Sequence, residues 1–98
     1  MQTYVILRRA GWKTPDALQA AGKRSLQVGD DEMSEDIRWI RSYVTAERTG
    51  EVGTVCIYQA TSPDAIRAHA ARAGLPVDEI VPVADTVVIR PDPAPASA

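Results

Sequence analysis

The chain has 98 residues, of which 45% are hydrophobic and 24% charged, and its formal net charge is −2. Such a length and composition are typical of one globular domain with a modest core. The slight negative charge argues against non-specific nucleic-acid binding, and the sequence contains no run of about 18 apolar residues that could span a membrane. We expect a cytoplasmic protein, because the amino-terminal residues lack the basic and apolar regions of a secretory signal. Its single cysteine, Cys56, excludes an intramolecular disulfide.

The first half of the chain predicts a strand, a helix and a second strand. An apolar run at residues 3–9 favours the first strand. Thr14-Pro15-Asp16 then predicts a helix start, because a hydroxyl side chain caps, Pro fits the first helical position and Asp suits the positive helix end. We expect this helix to extend to Val28. Five acids follow within residues 30–36, and we interpret this segment as a solvated loop, because it lacks the spacing of a cation-binding loop.

The helix start recurs as Ser62-Pro63-Asp64, so the two halves repeat one structural unit. The other elements predicted after residue 36 are a strand at 37–46, a hairpin loop at 47–53, a strand at 54–60, a helix at 63–73 and a last strand at 78–89. We assign residues 1–90 to a single domain and residues 91–98, rich in Pro and Ala, to a disordered tail.

The order βαββαβ predicts a ferredoxin-like α+β fold, a four-stranded antiparallel sheet with two helices on one face. Residues 4–7 and 87–89, in the first and last predicted strands, are apolar on both faces. Antiparallel strands with one face in water usually alternate polar and apolar residues. We therefore expect a second copy to cover the open face in a twofold homodimer that closes as a dimeric α/β barrel.

His69 is the single histidine of the chain and the main candidate for chemistry. It shares an apolar stripe of the second predicted helix with Ile66 and Ala73, so we expect it to lean toward the sheet. One interpretation is a partly buried histidine hydrogen-bonded to a neighbour. The other is a metal ligand or a proton carrier in the cleft between helix and sheet. One histidine per chain contributes few ligands, since transition metals need about three to six.

A ligand pocket is predicted from two neighbouring strands. Alternation places Trp39, Arg41 and Tyr43 on one face of the strand at 37–46, and Cys56 and Tyr58 share a face of the next strand. A buried Arg41 would need an acidic partner, across the sheet or the dimer, or a bound anion. We interpret Cys56 as a small buried hydrophobic residue. The sequence contains no Gly-rich phosphate loop, nucleophile elbow or His-Glu-x-x-His motif.

Four blocks in chain order resemble a known family of small bacterial proteins. The blocks are Trp-Ile-Arg-Ser-Tyr-Val at 39–44, Cys-Ile-Tyr-Gln-Ala at 56–60, Pro-Asp-Ala-Ile-Arg-Ala-His-Ala at 63–70 and Ala-Gly-Leu-Pro-Val-Asp-Glu-Ile at 73–80. The family consists of dimeric ferredoxin-like α/β barrels and includes a nickel-binding, nickel-responsive member. The resemblance implies this fold, a homodimer and nickel binding with His69 as the ligand. Some members carry His-x-x-x-His-Gly at the end of the second helix, where this chain has His69 and Ala73.

Two functions are compatible with these features. The first is a small dimeric protein, nickel-binding or nickel-responsive, that binds a metal ion or a small molecule. The second, by analogy of fold, is a cofactor-free monooxygenase or isomerase in which His69 carries a proton beside a pocket shaped by Trp39, Arg41, Tyr43 and Tyr58. A third interpretation is a protein that only packs against partners and has no binding site.

Overall fold

The computed structural model describes residues 1–94, which form a four-stranded antiparallel sheet with two helices on one face. The elements are β1 (Gln2–Trp12), α1 (Pro15–Gln27), a π-helical segment (Val28–Glu32), β2 (Ile37–Ala46), β3 (Val52–Ala60), α2 (Pro63–Ala73) and β4 (Glu79–Pro82). The strands lie in the order β2-β3-β1-β4. The predicted ferredoxin-like α+β fold is thereby confirmed. Residues 95–98 of the predicted tail lie outside the described residues.

Both helices begin where the repeated motif predicts. The Thr14 hydroxyl accepts a hydrogen bond from the Ala17 N–H, and the Ser62 hydroxyl accepts one from the Ala65 N–H, each at 3.1 Å. Such an N-cap typically stabilises a helix by about 1 kcal/mol. α2 ends at Gly74, whose φ of 69° lies in the left-handed region that glycine adopts without strain. Within residues 1–94, neither helix is long and apolar enough to cross a membrane.

The hydrophobic core lies between the helices and one face of the sheet. Its buried members are Tyr4, Ile6, Val28, Met33, Ile37, Cys56, Tyr58, Ala60, Ile66 and Ala73. Tyr4 and Ile6 alternate along β1 with Val5 and Leu7, which lie on the opposite, open face. The chain's own helices therefore cover one face of the sheet, whereas they leave the other face uncovered.

β4 is shorter than the sequence predicts. It pairs with β1 from Glu79, opposite Leu7, to Pro82, opposite Tyr4. The pairing with β1 ends just after Pro82, whose missing N–H lies on the outer edge of the sheet, away from β1. The prediction of a strand continuing to residue 89 is therefore wrong. The three apolar residues assigned to that strand end are instead exposed: Val87 by 80%, Val88 by 71% and Ile89 by 78%.

The segment after β4 crosses the open face of the sheet. At one edge, the Val83 N–H donates a hydrogen bond to the Thr3 carbonyl at 2.9 Å. At the opposite edge, the Tyr43 hydroxyl donates to Asp92 at 2.7 Å, and the Arg41 Nε lies 3.5 Å from the same carboxylate. This hydrogen bond is the main reason that the pKa of Tyr43 is raised. Arg41 thus has an acidic partner, which comes from the predicted tail.

A bulge near the end of β1 requires close contact between two backbones. The pairing of β1 with β3 shifts between Arg8 and Trp12, and Ala10 there has a positive φ of 47°. A Cβ atom on Gly53 would lie only 2.5 Å from the Arg8 carbonyl oxygen, so any side chain at this position would displace the strand. Glu47 braces the bulge by accepting hydrogen bonds from the Arg9 guanidinium, which is the main reason that its pKa falls to about 2.

Candidate functional site: a cavity between α1 and the sheet

A cavity of about 510 Å³ lies between α1 and the helix-side face of the sheet. Its walls are largely apolar and come from β1, α1, β2, β3 and the segment after α2. The lining residues are Arg8, Trp12, Pro15, Leu18, Gln19, Ala21, Gly22, Lys23, Ser25, Leu26, Trp39, Ser42, Val44, Thr54, Cys56, Tyr58 and Leu75. Leu26 and Val44 are exposed, so the cavity reaches the surface. Pockets that hold small organic molecules are typically concave, mostly apolar and about 300–1,000 Å³ in volume.

The polar atoms around the cavity are few and mostly bonded to one another. The Ser25 and Tyr58 hydroxyls lie 2.9 Å apart, and the Trp39 indole N–H donates to the Ser42 hydroxyl at 2.8 Å. The Trp39 and Tyr58 rings stack with their centroids 5.9 Å apart. Burial is the main cause of the raised pKa of Tyr58, which therefore keeps its proton near neutral pH. These contacts hold the aromatic wall of the cavity in place.

Arg8 is the most unusual residue of the cavity wall. It lies on β1 opposite Thr54 and is only 1% exposed. One of its terminal nitrogens, Nη1, donates to the Pro76 carbonyl at 2.7 Å, whereas Nη2 has no hydrogen-bond partner among the described residues. Within residues 1–94 no carboxylate forms an ion pair with Arg8. Its guanidinium is thus a buried charge without a counter-ion in this part of the chain.

Arg8 was not among the site residues that we predicted, although the sequence contains a signal for it. The alternation that buries Tyr4 and Ile6 continues to Arg8, which therefore falls on the same face of β1. The predicted strand at residues 3–9 ends in Arg8 and Arg9, and we did not assign these two residues to a face. In the structure Arg8 lies within β1 and pairs with Thr54.

His69 lies in the core beside the cavity and is fully buried, with 0% exposure. Its Nε2 is 2.9 Å from the Ser25 carbonyl oxygen, to which the Nε2–H donates, while Nδ1 has no partner among the described residues. Burial lowers the pKa of His69 and the nearby charge of Arg8 lowers it further, whereas the bond to Ser25 opposes these effects. His69 is therefore a neutral link between α2 and α1. It is not among the cavity-lining residues, so the structure does not bring the predicted proton carrier to the cavity.

The residues of one chain do not fit a nickel site. The Nε2 of His69 is already engaged, and no second histidine exists in the sequence. Residues 1–94 contain no group of three or more His, Cys, Asp or Glu side chains placed to hold a metal ion. Transition metals need several converging ligands, and imidazole is a preferred one for nickel. Among the acids of residues 30–36, Glu32 instead lies 3.7 Å from Arg72.

The predicted ligand pocket is divided between the two faces of the sheet. In β2, Trp39 pairs with Tyr58 but Arg41 pairs with Ile57, so Ile40 is an extra residue in the strand. This bulge reverses the alternation after Trp39 and moves Arg41 and Tyr43 to the open face. The prediction that these two residues share a face with Trp39 is therefore wrong. Trp39, Cys56 and Tyr58 do come together, in the wall of the cavity.

The fold and the cavity define a small ferredoxin-like α+β domain with a ligand-sized cleft between α1 and the sheet. The family model described as "Nickel responsive protein SCO4226-like" matches residues 4–83, and the chain belongs to this family. The crystal structure of SCO4226 from Streptomyces coelicolor A3(2) is similar to it with a TM-score of 0.67 and 23% sequence identity, over 87% of this chain and 99% of that chain. At this identity the likeness shows a shared fold. A search of curated proteins found no match.

Proposed function

We propose that this member of the nickel-responsive family is a homodimeric binding protein whose ligand is a small, largely apolar molecule held between α1 and the sheet. The observation that carries the proposal is the cavity of about 510 Å³ with its apolar walls. The cavity opens to the surface, and its volume and apolar lining are those of sites that bind small organic molecules. These properties favour a binding role over simple packing.

The family's nickel response is separate from this cavity in our proposal. His69, the ligand we expected, already bonds to the Ser25 carbonyl, and the cavity wall contributes Cys56 as its single thiol. Nickel would therefore have to be bound by residues of two chains together, or regulate the production of the protein without binding to it. The free, buried Cys56 is compatible with the reducing cytoplasm, which stays our prediction for the location.

Filling the cavity from α1 tests the proposal. A Cβ atom on Gly22 would lie 3.9 Å from the Trp39 ring, so a larger side chain there extends into the cavity. We expect the neutral fluorophore N-phenyl-1-naphthylamine to bind the wild-type protein, and Gly22→Leu to weaken that binding about tenfold or more by occupying its space. Fluorescence titration measures both affinities. Gly22→Ala is the matched control, because it gains similar helix propensity but adds only a methyl group.

The same titration tests whether nickel changes the affinity of the cavity for the probe. We expect added nickel to leave the probe affinity unchanged, in the wild type and in His69→Gln alike. The proposal fails if the wild-type protein binds no probe, or if both Gly22 variants bind it equally well. It also fails if nickel displaces the probe in a way that depends on His69.

The dimer in this proposal covers the open face of the sheet and the segment that crosses it. Val87, Val88 and Ile89 form an exposed apolar run on that segment. Contiguous exposed apolar residues of this kind mark association surfaces. A twofold axis through the open face would bring the same run from both chains together, since a twofold interface uses one patch twice.

Sedimentation velocity at micromolar concentration checks this arrangement. We expect a mass of about twice the 10.6 kDa of one chain, and a shift to the single-chain mass for Val88→Asp, because a charge in an apolar interface is poorly compensated. Ala68→Asp, on the exposed side of α2, is the control and should remain dimeric. If the wild-type protein sediments with the mass of a single chain, the proposed homodimer is wrong.

A further inference from the structure

Arg8 lines the buried end of the cavity, and its guanidinium, almost fully covered by neighbouring side chains, has part of its hydrogen-bonding capacity unused. Its Nη1 donates to the Pro76 carbonyl, while its Nη2 has no partner among residues 1–94. Buried charges in proteins are normally paired or hydrogen-bonded throughout, because removing a charge from water is costly. In the described part of the chain, nothing neutralises this one.

The titratable groups near Arg8 do not supply the missing negative charge. Burial raises the pKa of Tyr58 and lowers that of His69, so both are neutral at physiological pH. The charge of Arg8 lowers the pKa of both groups, and a side-chain contact between Arg8 and the Tyr58 hydroxyl lowers that of Tyr58 further. The other cation in the cavity wall, Lys23, is exposed and therefore solvated. The buried end of the cavity thus carries a single, uncompensated positive charge.

The chemistry of the walls limits the ligand class. A guanidinium matches a carboxylate, whose two oxygens accept parallel hydrogen bonds from it. A phosphate monoester would bring a second negative charge, for which the described cavity wall has no second buried cation. The remaining lining is apolar and includes the indoles of Trp12 and Trp39, which favour an apolar or aromatic body.

We propose that the cavity binds an organic monocarboxylate, with its carboxylate on Arg8 and its apolar body between α1 and the sheet. The inference deepens the proposed function and rests on it, because it requires the cavity to be a binding site. It adds the charge of the ligand and the residue that recognises it.

Calorimetry with a matched pair of ligands tests the inference on the full chain. Naphthalene-1-acetate and naphthalene-1-acetamide share one apolar body, but only the first carries a carboxylate. We expect the wild-type protein to bind the acid at least about tenfold more tightly than the amide, since a hydrogen bond to a charged group is worth more than one between neutral groups. This comparison needs no variant.

Two variants then test whether Arg8 is the residue that causes the preference for the acid over the amide. Arg8→Met keeps the length of the side chain without its charge, and we expect it to bind acid and amide with the same affinity. Arg9→Met is the matched control, because Arg9 is exposed and pairs with Glu47, and it should retain the wild-type preference. Circular dichroism confirms that both variants are folded.

The outcomes separate this inference from the proposal beneath it. If the wild-type protein binds acid and amide equally, or if folded Arg8→Met retains the preference, Arg8 does not recognise a carboxylate, although the cavity still binds apolar molecules. If the protein binds neither ligand, both the inference and the proposed function are wrong.

Discussion

Replacing Ile66 by alanine is expected to lower the free energy of unfolding by about 2–5 kcal/mol. Ile66 lies on α2, is completely buried and belongs to the core between the helices and the sheet. The truncation removes apolar contacts and leaves a space that the surrounding side chains refill only in part. In a domain of this size, whose total stability is about 5–15 kcal/mol, such a loss is a large fraction of the whole.

Urea unfolding followed by circular dichroism measures this loss. Ile40→Ala is the matched control, because Ile40 is the extra residue of the β2 bulge and is 46% exposed. We expect it to cost less than about 1 kcal/mol, since much of its side chain is already in water. Similar losses for the two variants would contradict the packing of α2 described here.

The stability of the wild-type protein is expected to fall as the pH is lowered through the ordinary pKa of histidine. Burial depresses the pKa of His69 below its ordinary value of 6.5. The unfolded chain therefore takes up a proton at a higher pH than the folded chain. The stabilisation from a neutral, buried His69 is complete above about pH 6.5 and is lost below it, until the folded pKa is reached. For one proton, the steepest slope is about 1.4 kcal/mol per pH unit.

His69→Gln isolates this effect, because the chain has a single histidine. The glutamine amide can still donate a hydrogen bond to the Ser25 carbonyl, but it does not titrate. Urea unfolding of both proteins between about pH 7 and pH 5 should show that the wild type loses stability faster than the variant. Carboxylates contribute to both curves in the same way, so they cancel in the difference. Parallel curves would mean that His69 is accessible to protonation in the folded state.

Local signals in the sequence predicted most of the elements and the order that defines the fold. The motifs at Thr14 and Ser62 marked both helix starts, because capping depends on the adjacent few residues. The alternation of apolar residues predicted the strands, and the order βαββαβ then restricted the topology. The apolar stripe of α2 correctly turned His69 toward the sheet.

The same signals failed where a strand departs from regular geometry. The bulge at Ile40 arises from the pairing of β2 with β3, and residue alternation alone does not contain it. It separated Arg41 and Tyr43 from the predicted pocket. The apolar run at residues 87–89 suggested a strand because its composition suits one, yet the pairing of β4 with β1 stops before this run.

The sequence by itself determined the βαββαβ architecture, both helix caps and the face of α2 on which His69 lies. Those properties follow from residues close together in the chain. Only the tertiary structure decided that Arg8 lies buried against the cavity without a carboxylate within the described residues, and that His69 bonds to α1 rather than facing that cavity. Both outcomes depend on contacts between residues that are distant in the sequence, and the packing of α1 against the sheet decides which of these contacts form.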